Sequence, residues 1–440
     1  MTTVAEVRLW GRTIGAVSID DRSPYASFEY ASDFVDSGIQ VAPLTMPLSD
    51  QVFRFPELPR KTFYGLPGLL ADSLPDRFGT ALIEAWLATQ GRHPSDFNSV
   101  ERLCYTGRRG MGALEFHPIT GPRARPSHRV EVDALVSLAS EVLSQRDRLV
   151  TSFADREKED ALKAILRVGT SAGGARAKAA IAWNRKTGEV RSGQVDPSTG
   201  SGFEYWLIKL DGVSGNRDKE LEDPKGYGRI EYAYYKMATA AGIRMNPSEL
   251  LEESGRQHFI TKRFDRLDVG DKLHMQTLCA LAHYDFNQSG TNSYEQTFLI
   301  LRSLDMDMET IEELFRRMAF NILARNQDDH VKNIAFLMDK TGRWSLSPAY
   351  DVTYSYNPDG AWTSTHQMSM NGKRDDFTLD DFKACAGVAS MKRGRDQAIL
   401  DEVRQAIGRW PEFAAAGGVD EAVRRKIGRA FRYRRLPTTG

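Results

Sequence analysis

Two aspartates and an asparagine in the last third of the chain restrict its possible folds more than any other feature. Residues 326–333 read Asn-Gln-Asp-Asp-His-Val-Lys-Asn and follow an apolar helical segment, so that Asp328 precedes Asn333 by five residues. Downstream, residues 334–338 and 343–347 read as two strands on either side of an Asp-Lys-Thr-Gly turn and predict a β-hairpin. This hairpin would return Asp351 to within roughly 10 Å of Asn333. Two carboxylates and an amide around one point suit a phosphate-bound Mg²⁺.

The interval between Asp328 and Asn333 is that of a kinase catalytic loop. There the aspartate accepts the proton of the attacking hydroxyl, and the asparagine binds a metal ion on the nucleotide phosphates. The neighbouring Asp329 does not fit the interval, and Lys332 either lies beside the transferred phosphate or is solvated. A surface loop is the alternative, because Asp and Asn are common in turns. The hairpin and Asp351 are separate features that favour the catalytic interpretation.

Charge balance and hydropathy restrict the class of protein. The 440 residues include 59 basic and 59 acidic ones, so the formal net charge is zero and gives no general attraction to nucleic acid or anionic membrane. No apolar run approaches the roughly 20 residues that span a bilayer, and the N-terminus lacks the basic start and apolar core of a signal peptide. Three widely spaced cysteines form no metal-binding pattern. We therefore expect a cytoplasmic protein of two or three domains.

Proline and glycine content divides the chain into a small and a large unit. Residues 1–117 contain a predicted hairpin and an Ala- and Leu-rich helix, and residues 118–128 form a Pro-rich linker. Residues 129–270 alternate strands with helices, whereas residues 271–440 are mostly helical and contain the catalytic loop. This order predicts an α+β, two-lobed protein-kinase-like fold with a small N-terminal α/β subdomain and a mainly helical C-terminal lobe.

A lysine within an apolar strand is the second chemical feature. Lys209 lies in the predicted strand 205–210, and a lysine is rarely buried among apolar residues without a partner. In a kinase it would contact the nucleotide phosphates. The alternative is an edge-strand lysine that extends to water. Glu231, near the start of the next helix, could pair with Lys209 or be a favourable acid in the first helical turn.

A glycine-rich segment, 169–178, precedes this strand. Its glycines, which include Gly173 and Gly174, could cover phosphates with backbone N–H groups. The segment is not a Walker A loop, because no lysine directly follows Gly174. Glycine clusters are more often turns, so this feature alone is weak.

The predicted strand 258–264 should connect the two lobes, where its backbone could read adenine. Asp265, directly after it, could accept a hydrogen bond from a ribose hydroxyl. The alternative is a salt bridge to Arg263 or Arg266.

The last basic segment of the chain also allows two interpretations. Residues 424–435 carry seven Arg and Lys residues and no acid. They form either a solvated helix face or a patch for nucleic acid or a protein partner.

Together these features resemble the HipA family of serine/threonine kinase toxins from bacterial type II toxin–antitoxin systems. The N-terminal unit resembles the small N-terminal subdomain of that family. The set of segments is specific, although no single one is. The resemblance is carried by residues 171–178, 207–210, 263–266, 328–333 and 348–351.

The resemblance implies ATP and Mg²⁺ as cofactors, Asp328 as the catalytic base, and Asn333 and Asp351 as Mg²⁺ ligands. It also places Ser171 at the autophosphorylation position of the family, next to Thr170. A phosphate there is expected to eject the glycine-rich loop and silence the kinase, because it adds negative charge beside the ATP phosphates. The residues expected at the nucleotide are Lys209, Lys332, Ser171, Gly173, Gly174, Lys262, Phe264 and Asp265.

The resemblance further implies a HipB-type DNA-binding antitoxin as partner, with DNA contacted mainly through that complex. It implies aminoacyl-tRNA synthetases as substrates, which would make the chain an inhibitor of growth. Two other functions remain open at this point. One is a kinase-like corepressor that holds an antitoxin on DNA. The other is a small-molecule kinase of aminoglycoside or sugar type, which shares the interval between aspartate and asparagine.

Overall fold

Three antiparallel β-sheets organise the protein. The computed structural model describes residues 2–89, 91–93, 97–121, 130–144, 176–193, 202–213, 226–267 and 270–433. The first sheet, of order β3-β2-β1-β4, contains β1 Thr2–Leu9, β2 Arg12–Asp20, β3 Ser27–Tyr30 and β4 Leu114–His117. The second, of order β6-β5-β7-β9-β8, contains β5 Lys178–Asn184, β6 Val190–Ser192, β7 Phe203–Lys209, β8 Ser248–Glu253 and β9 Arg256–Lys262. The third, of order β10-β11-β12, contains β10 His274–Thr277, β11 Ala335–Met338 and β12 Trp344–Leu346.

The helices surround these sheets and dominate the C-terminal lobe. The N-terminal unit contains α1 Ser32–Val35, α2 Arg60–Phe63, α3 Gly68–Ala71, α4 Arg77–Thr89 and α5 Ser99–Thr106. The second sheet is accompanied by α6 Val132–Ser144 and α7 Tyr227–Ala240. The C-terminal lobe contains α8 Leu278–Ala282, α9 Tyr294–Ser303, α10 Met308–Leu323, α11 Leu379–Val388, α12 Arg395–Gly408, α13 Trp410–Ala416 and α14 Glu421–Ala430. Across the described ranges, no helix combines the length and the apolar character that crossing a membrane requires.

Helix α10 delivers the catalytic loop. It begins at the side chain of Asp307, which accepts a hydrogen bond from the Thr310 N–H (2.9 Å) and so caps the first turn. It ends before Arg325, whose positive φ of 59° turns the chain out of the helix. The apolar helical segment that the sequence predicts has its hydrophobic residues buried: Ile311, Leu314, Phe315, Met318 and Ile322. From residue 313 to residue 323 every residue except Asn321 is buried, so this half of the helix lies inside the lobe.

The N-terminal unit shares its hydrophobic core with both lobes. One continuous cluster extends from the first sheet into the C-terminal lobe, and its members include Phe28 and Phe298. A second cluster joins helix α4 of the N-terminal unit to α6 and to strands β5 and β7. The unit therefore does not fold around a separate core, and it packs against both lobes at once.

A buried carboxylate and two arginines connect the N-terminal unit to the segment between the lobes. Asp265 is fully buried and accepts hydrogen bonds from Arg263 (2.7 and 2.9 Å) and from Arg266 (2.7 Å). The backbone N–H of Gly112 also donates to it at 2.7 Å, and Arg266 donates to the carbonyls of Gly110 and Gly112. Burial raises the pKa of Asp265, but the two guanidinium groups outweigh it and hold the pKa well below its usual range.

This arrangement corrects the expected role of Asp265. The predicted ribose contact is not what the structure provides, because both oxygens of the carboxylate are used by the arginines and by Gly112. The salt-bridge alternative is the one that the structure shows.

Replacing Asp265 by Asn should destabilise the whole fold. The amide keeps the shape of the carboxylate but leaves two buried guanidinium groups without a counter-charge, which typically costs about 3–5 kcal/mol. Urea denaturation of the full chain would measure the change in the free energy of unfolding. The control is Asp271→Asn, which breaks an exposed pair with Lys340 and should cost less than about 1 kcal/mol. Equal midpoints for both variants would contradict the anchoring role of Asp265.

Candidate active site

Lys209 holds two carboxylates together at the end of β7. Its ammonium group forms ion pairs with Glu231 Oε1 (2.5 Å) and with Asp351 Oδ1. Strand β7 lies between β5 and β9, and the Lys209 side chain is only 15% exposed. Of the two roles that the sequence left open for Glu231, the structure shows the pairing with Lys209, and the edge-strand alternative for Lys209 is wrong.

Mutual attraction keeps this group charged despite its burial. Burial raises the pKa of Asp351, but the ammonium groups of Lys209 and Lys178 lower it by more, so that the pKa lies well below its usual range. Burial likewise lowers the pKa of Lys209, but Asp351 and Glu231 outweigh this effect and raise the pKa above its usual value. Lys209 and Asp351 are therefore both ionised at neutral pH.

Asp351 adopts a backbone conformation that few residues tolerate. Its φ is +57°, in the left-handed region, which costs roughly 1–2 kcal/mol for a residue with a Cβ. Such strain persists where surrounding contacts fix the residue. Here the ion pair with Lys209 fixes its side chain, and the hydroxyl of the preceding Tyr350 donates to the Lys332 carbonyl at 2.6 Å. The segments that carry Asp351 and Asn333 are thus in direct contact, as the hairpin predicts.

The loop after α10 carries Asp328, whose side chain is partly exposed beside the segment that carries Asn333. The Asp328 side chain is 41% exposed, and its Oδ1 accepts a hydrogen bond from Trp362 Nε1 (2.7 Å). Its backbone N–H donates to Ser355 Oγ at 3.1 Å. Asn333 Nδ2 donates to the backbone carbonyl of Asp328 at 2.7 Å and so closes the five-residue interval. The amide oxygen of Asn333 is not used by this bond.

Asp329 differs completely from its neighbour Asp328. Its side chain is 1% exposed and accepts hydrogen bonds from the Tyr294 hydroxyl (2.7 Å), His366 Nδ1 (2.8 Å) and the Gln367 N–H (2.8 Å). Burial raises the pKa of Asp329, but these partners, His366 first, outweigh it and keep the pKa below its usual value. Asp329 is therefore a structural anion, and only Asp328 faces the cleft.

Asn333 and Asp351 fit a cation that arrives with phosphate. Mg²⁺ usually takes one or two carboxylates from the protein and completes its shell with phosphate oxygens and water. Lys209 uses only Oδ1 of Asp351. In the part of the chain that the structure describes, no group of three or more His, Cys, Asp or Glu side chains could hold a metal ion. The donor set thus suits Mg²⁺ on a nucleotide better than a resident structural ion.

The remaining nucleotide-binding candidates lie in different surroundings. Lys262 pairs with Glu204 at 2.7 Å, and its backbone N–H donates to the Pro247 carbonyl. Phe264 lies against Tyr350, with 5.7 Å between the ring centroids, and so borders the segment that carries Asp351. Of these two residues, Phe264 is therefore the one in contact with the site. The predicted residues Ser171, Gly173 and Gly174 lie outside the described residues, as does Thr170.

Sequence reasoning missed a second lysine in the site. Lys178 lies directly opposite Lys209 in the pairing of β5 with β7, and it is buried. Burial lowers its pKa, while Asp351 and Asp76 raise it. Its place at the end of the glycine-rich segment 169–178 is the signal that could have identified it, because that segment was already expected at the phosphates.

Two acids of the N-terminal unit, Asp72 and Asp76, also interact electrostatically with lysines of the site. No local sequence pattern predicted them. Asp76, between α3 and α4, accepts from the Gly79 N–H (2.7 Å) through Oδ1, while its buried Oδ2 has no hydrogen-bond partner among the described residues. Burial raises the pKa of Asp76 to about 6, although Lys178 and Lys332 lower it. Asp72 accepts hydrogen bonds from the backbone and hydroxyl of Thr277, and burial raises its pKa, although Lys332 lowers it. The N-terminal unit therefore forms one wall of the site.

The sheets and helices around this site define a two-lobed, kinase-like fold, and sequence comparison identifies the family. The HipA N-terminal domain matches residues 5–117, and the HipA-like C-terminal domain matches residues 170–410. The chain therefore belongs to the HipA family.

Two curated relatives from Sinorhizobium fredii carry provisional names as kinases. Y4mE is 27% identical over 245 residues, which is 49% of this chain and 57% of Y4mE. Y4dM is 24% identical over 243 residues, which is 51% of this chain and 55% of Y4dM. The chain thus spans about half the length of the curated relatives it matches.

The fold is also that of a solved structure. It matches a chain of the Shewanella oneidensis MR-1 toxin–antitoxin complex of HipA, HipB and operator DNA, with a TM-score of 0.65 and 16% identity. The match covers 98% of this chain and 97% of that one.

Replacing Asp76 by Asn should stabilise the protein increasingly as the pH rises. Asp76 is protonated in both states well below pH 3.8, and above about pH 6 the folded state carries a buried, poorly compensated charge. The difference corresponds to at most about 3 kcal/mol. Asn avoids this cost and retains an acceptor for Gly79. Urea denaturation at pH 4 and pH 7.5 should show a larger gain at pH 7.5. The exposed Asp50→Asn is the control, and an equal effect of Asp76→Asn at both pH values would contradict the prediction.

Proposed function

We propose that this chain is an ATP- and Mg²⁺-dependent protein serine/threonine kinase. The observation that carries the proposal is the ion pairing of Lys209 with Glu231 and Asp351. In kinases a strand lysine, its helix glutamate and a metal-binding aspartate must all be in place for phosphate transfer. The provisional kinase names of Y4mE and Y4dM agree with this proposal.

Each charged residue then has a distinct task. Asp328 accepts the proton of a substrate hydroxyl, which attacks the terminal phosphate while ADP leaves. Lys209 and Lys178 bind phosphate oxygens, and Asn333 and Asp351 hold the metal ion. When bound, Mg²⁺ neutralises the charge that develops on the transferred group. The ion pair of Lys209 with Asp351 keeps both groups in place until nucleotide enters.

Family membership supports a role as a toxin. The structural relative is HipA in a complex with HipB and operator DNA. We extend this to the present chain as a HipB-type DNA-binding antitoxin partner, with DNA contacted mainly through that complex. The proposed substrates are proteins of translation, such as an aminoacyl-tRNA synthetase, and their phosphorylation would inhibit growth.

Ser171 is the proposed autophosphorylation site. It lies in the glycine-rich segment five residues before Arg176. Arg176 Nη1 lies 3.8 Å from Glu231 Oε2, so the C-terminal end of this segment lies at the site. A phosphate on Ser171 would add up to two negative charges to a segment that ends beside these acids.

Asp328→Asn should abolish phosphate transfer without unfolding the protein. The amide can still accept from Trp362 but cannot take the proton, and removal of a general base typically lowers the rate about 100- to 10,000-fold. Intact mass spectrometry after incubation with Mg²⁺ and ATP should show one added phosphate on the wild type alone. Peptide mapping, together with Ser171→Ala and Thr170→Ala, assigns its position.

Asp339→Asn is the matched control, because Asp339 lies in the exposed hairpin turn. It should transfer phosphate like the wild type. Full activity of Asp328→Asn would remove Asp328 as the base. An initially unmodified wild type that takes up no phosphate and modifies no protein would contradict the protein-kinase proposal.

A further inference from the structure

One short segment contacts both aspartates of the catalytic loop. Residues 362–367, named the strap from here on, follow the segment that carries Asp351. Trp362, at one end of the strap, bonds to Asp328, while His366 and Gln367 at the other end bond to Asp329. The side chain of Gln367 donates to the carbonyl of Trp362 and so ties the two ends together.

At one end, Trp362 fixes the orientation of the proposed base. The indole Nε1 donates to Asp328 Oδ1 at 2.7 Å. An indole N–H can only donate, so this contact requires an acceptor oxygen on Asp328. One oxygen of the carboxylate is thereby held in place, and the other is left to meet a substrate hydroxyl.

At the other end of the strap, three side chains bonded in series connect the catalytic loop to the segment after α14. They are Asp329, His366 and Arg432. Arg432 Nη1 lies 2.8 Å from His366 Nε2, and His366 Nδ1 lies 2.8 Å from Asp329 Oδ2. Arginine can only donate, so Nε2 of the buried His366 accepts. The hydrogen of this neutral imidazole is then on Nδ1 and is donated to Asp329. Arg432 therefore sets the tautomer that anchors the catalytic loop.

Arg432 is itself fixed on three sides. Its second guanidinium nitrogen pairs with Asp375, and its backbone N–H donates to the carbonyl of Leu323, the last residue of α10. Two residues earlier, the carbonyl of Ala430 accepts from Arg325 Nε at 2.9 Å. The residues at and just after the end of α14 are thus hydrogen-bonded to the start of the catalytic loop. This residue of the basic segment 424–435 is neither solvated nor part of a surface patch.

We propose that Trp362 and Arg432 are positioning residues of the catalytic loop: Trp362 orients Asp328, and Arg432, through His366 and Asp329, holds the backbone that carries it. The role in phosphate transfer rests on the proposed function. The role in fixing the loop rests on the geometry alone. The hydrogen bonds of Trp362 and Arg432 described above go to the catalytic loop, the strap, Leu323 and Asp375, so both residues should act on the transfer step rather than on nucleotide binding.

The first test replaces Trp362 by Phe, which keeps an aromatic ring and removes the N–H donor. The expected result is a fall in kcat of about 10- to 100-fold, because small misplacements of a reacting group have effects of this size. The Kd for ATP and the urea midpoint should stay at the wild-type values. Trp344→Phe is the control, because its indole donates to the Gln40 carbonyl, remote from the loop. An unchanged kcat, or a loss matched by an equally large loss of ATP binding or stability, would overturn the role of Trp362.

The second test replaces Arg432 by Met and measures amide hydrogen exchange in the full chain. Backbone amides of residues 326–333 should exchange about tenfold faster or more, while those of strands β5, β7 and β9 should keep their rates. Arg425→Met is the control, because Arg425 lies on the preceding helix α14 and pairs with Glu421 at the exposed surface. Unchanged exchange in the loop, or acceleration throughout the C-terminal lobe, would overturn the role of Arg432. If wild-type protein transfers no phosphate, the proposed function fails, and exchange alone decides whether the strap fixes the loop.

Discussion

The ion pairs of Lys209 with Glu231 and Asp351 are the interaction on which the rest of the site depends. They join an inner strand, helix α7 and the segment after the third sheet, which are far apart in sequence. The two carboxylates would repel each other without the lysine between them, and its loss would remove the directly bonded counter-charge of both, which is destabilising for the buried Glu231 in particular. The same lysine therefore fixes the relative position of the lobes and prepares a cationic site for phosphate. The same partner helps to hold Asp351 in its left-handed backbone conformation.

The N-terminal unit contributes to the site as well as to the fold. Its core continues into both lobes, and Asp265 receives a hydrogen bond from its Gly112. These contacts bring Asp76 to the cleft with one buried oxygen that no described group satisfies. An acid with a raised pKa beside two lysines is typical of functional sites, where stability is sacrificed for charge placement. Lys178 and Lys332 lower the pKa of Asp76, but by less than burial raises it, so the placement of this acid costs stability.

Sequence patterns predicted the parts of the molecule that depend on local order. The hairpin after the catalytic loop, the buried face of α10 and the strand that carries Lys209 all follow from hydrophobic periodicity over short windows. The sequence did not decide between a ribose contact and a salt bridge for Asp265, because both roles are compatible with the same neighbouring arginines. Only the burial of the carboxylate distinguishes the two roles. Asp76 and Trp362 were missed because their partners lie 102 and 34 residues away, at Lys178 and Asp328, and no local pattern records such contacts.

The adjacent aspartates of the catalytic loop show how surroundings divide roles between chemically identical residues. Asp328 is 41% exposed and has one side-chain oxygen bonded to Trp362, whereas Asp329 is 1% exposed and accepts three hydrogen bonds. A carboxylate that is fully satisfied cannot take a proton from a substrate, but it can hold a loop rigidly, because its partners join the loop to helix α9 and to the strap. The rigid anion thus restricts the motion of the residue before it. A loop with the reactive acid alone would have the right chemistry at one residue and nothing to keep that residue in position.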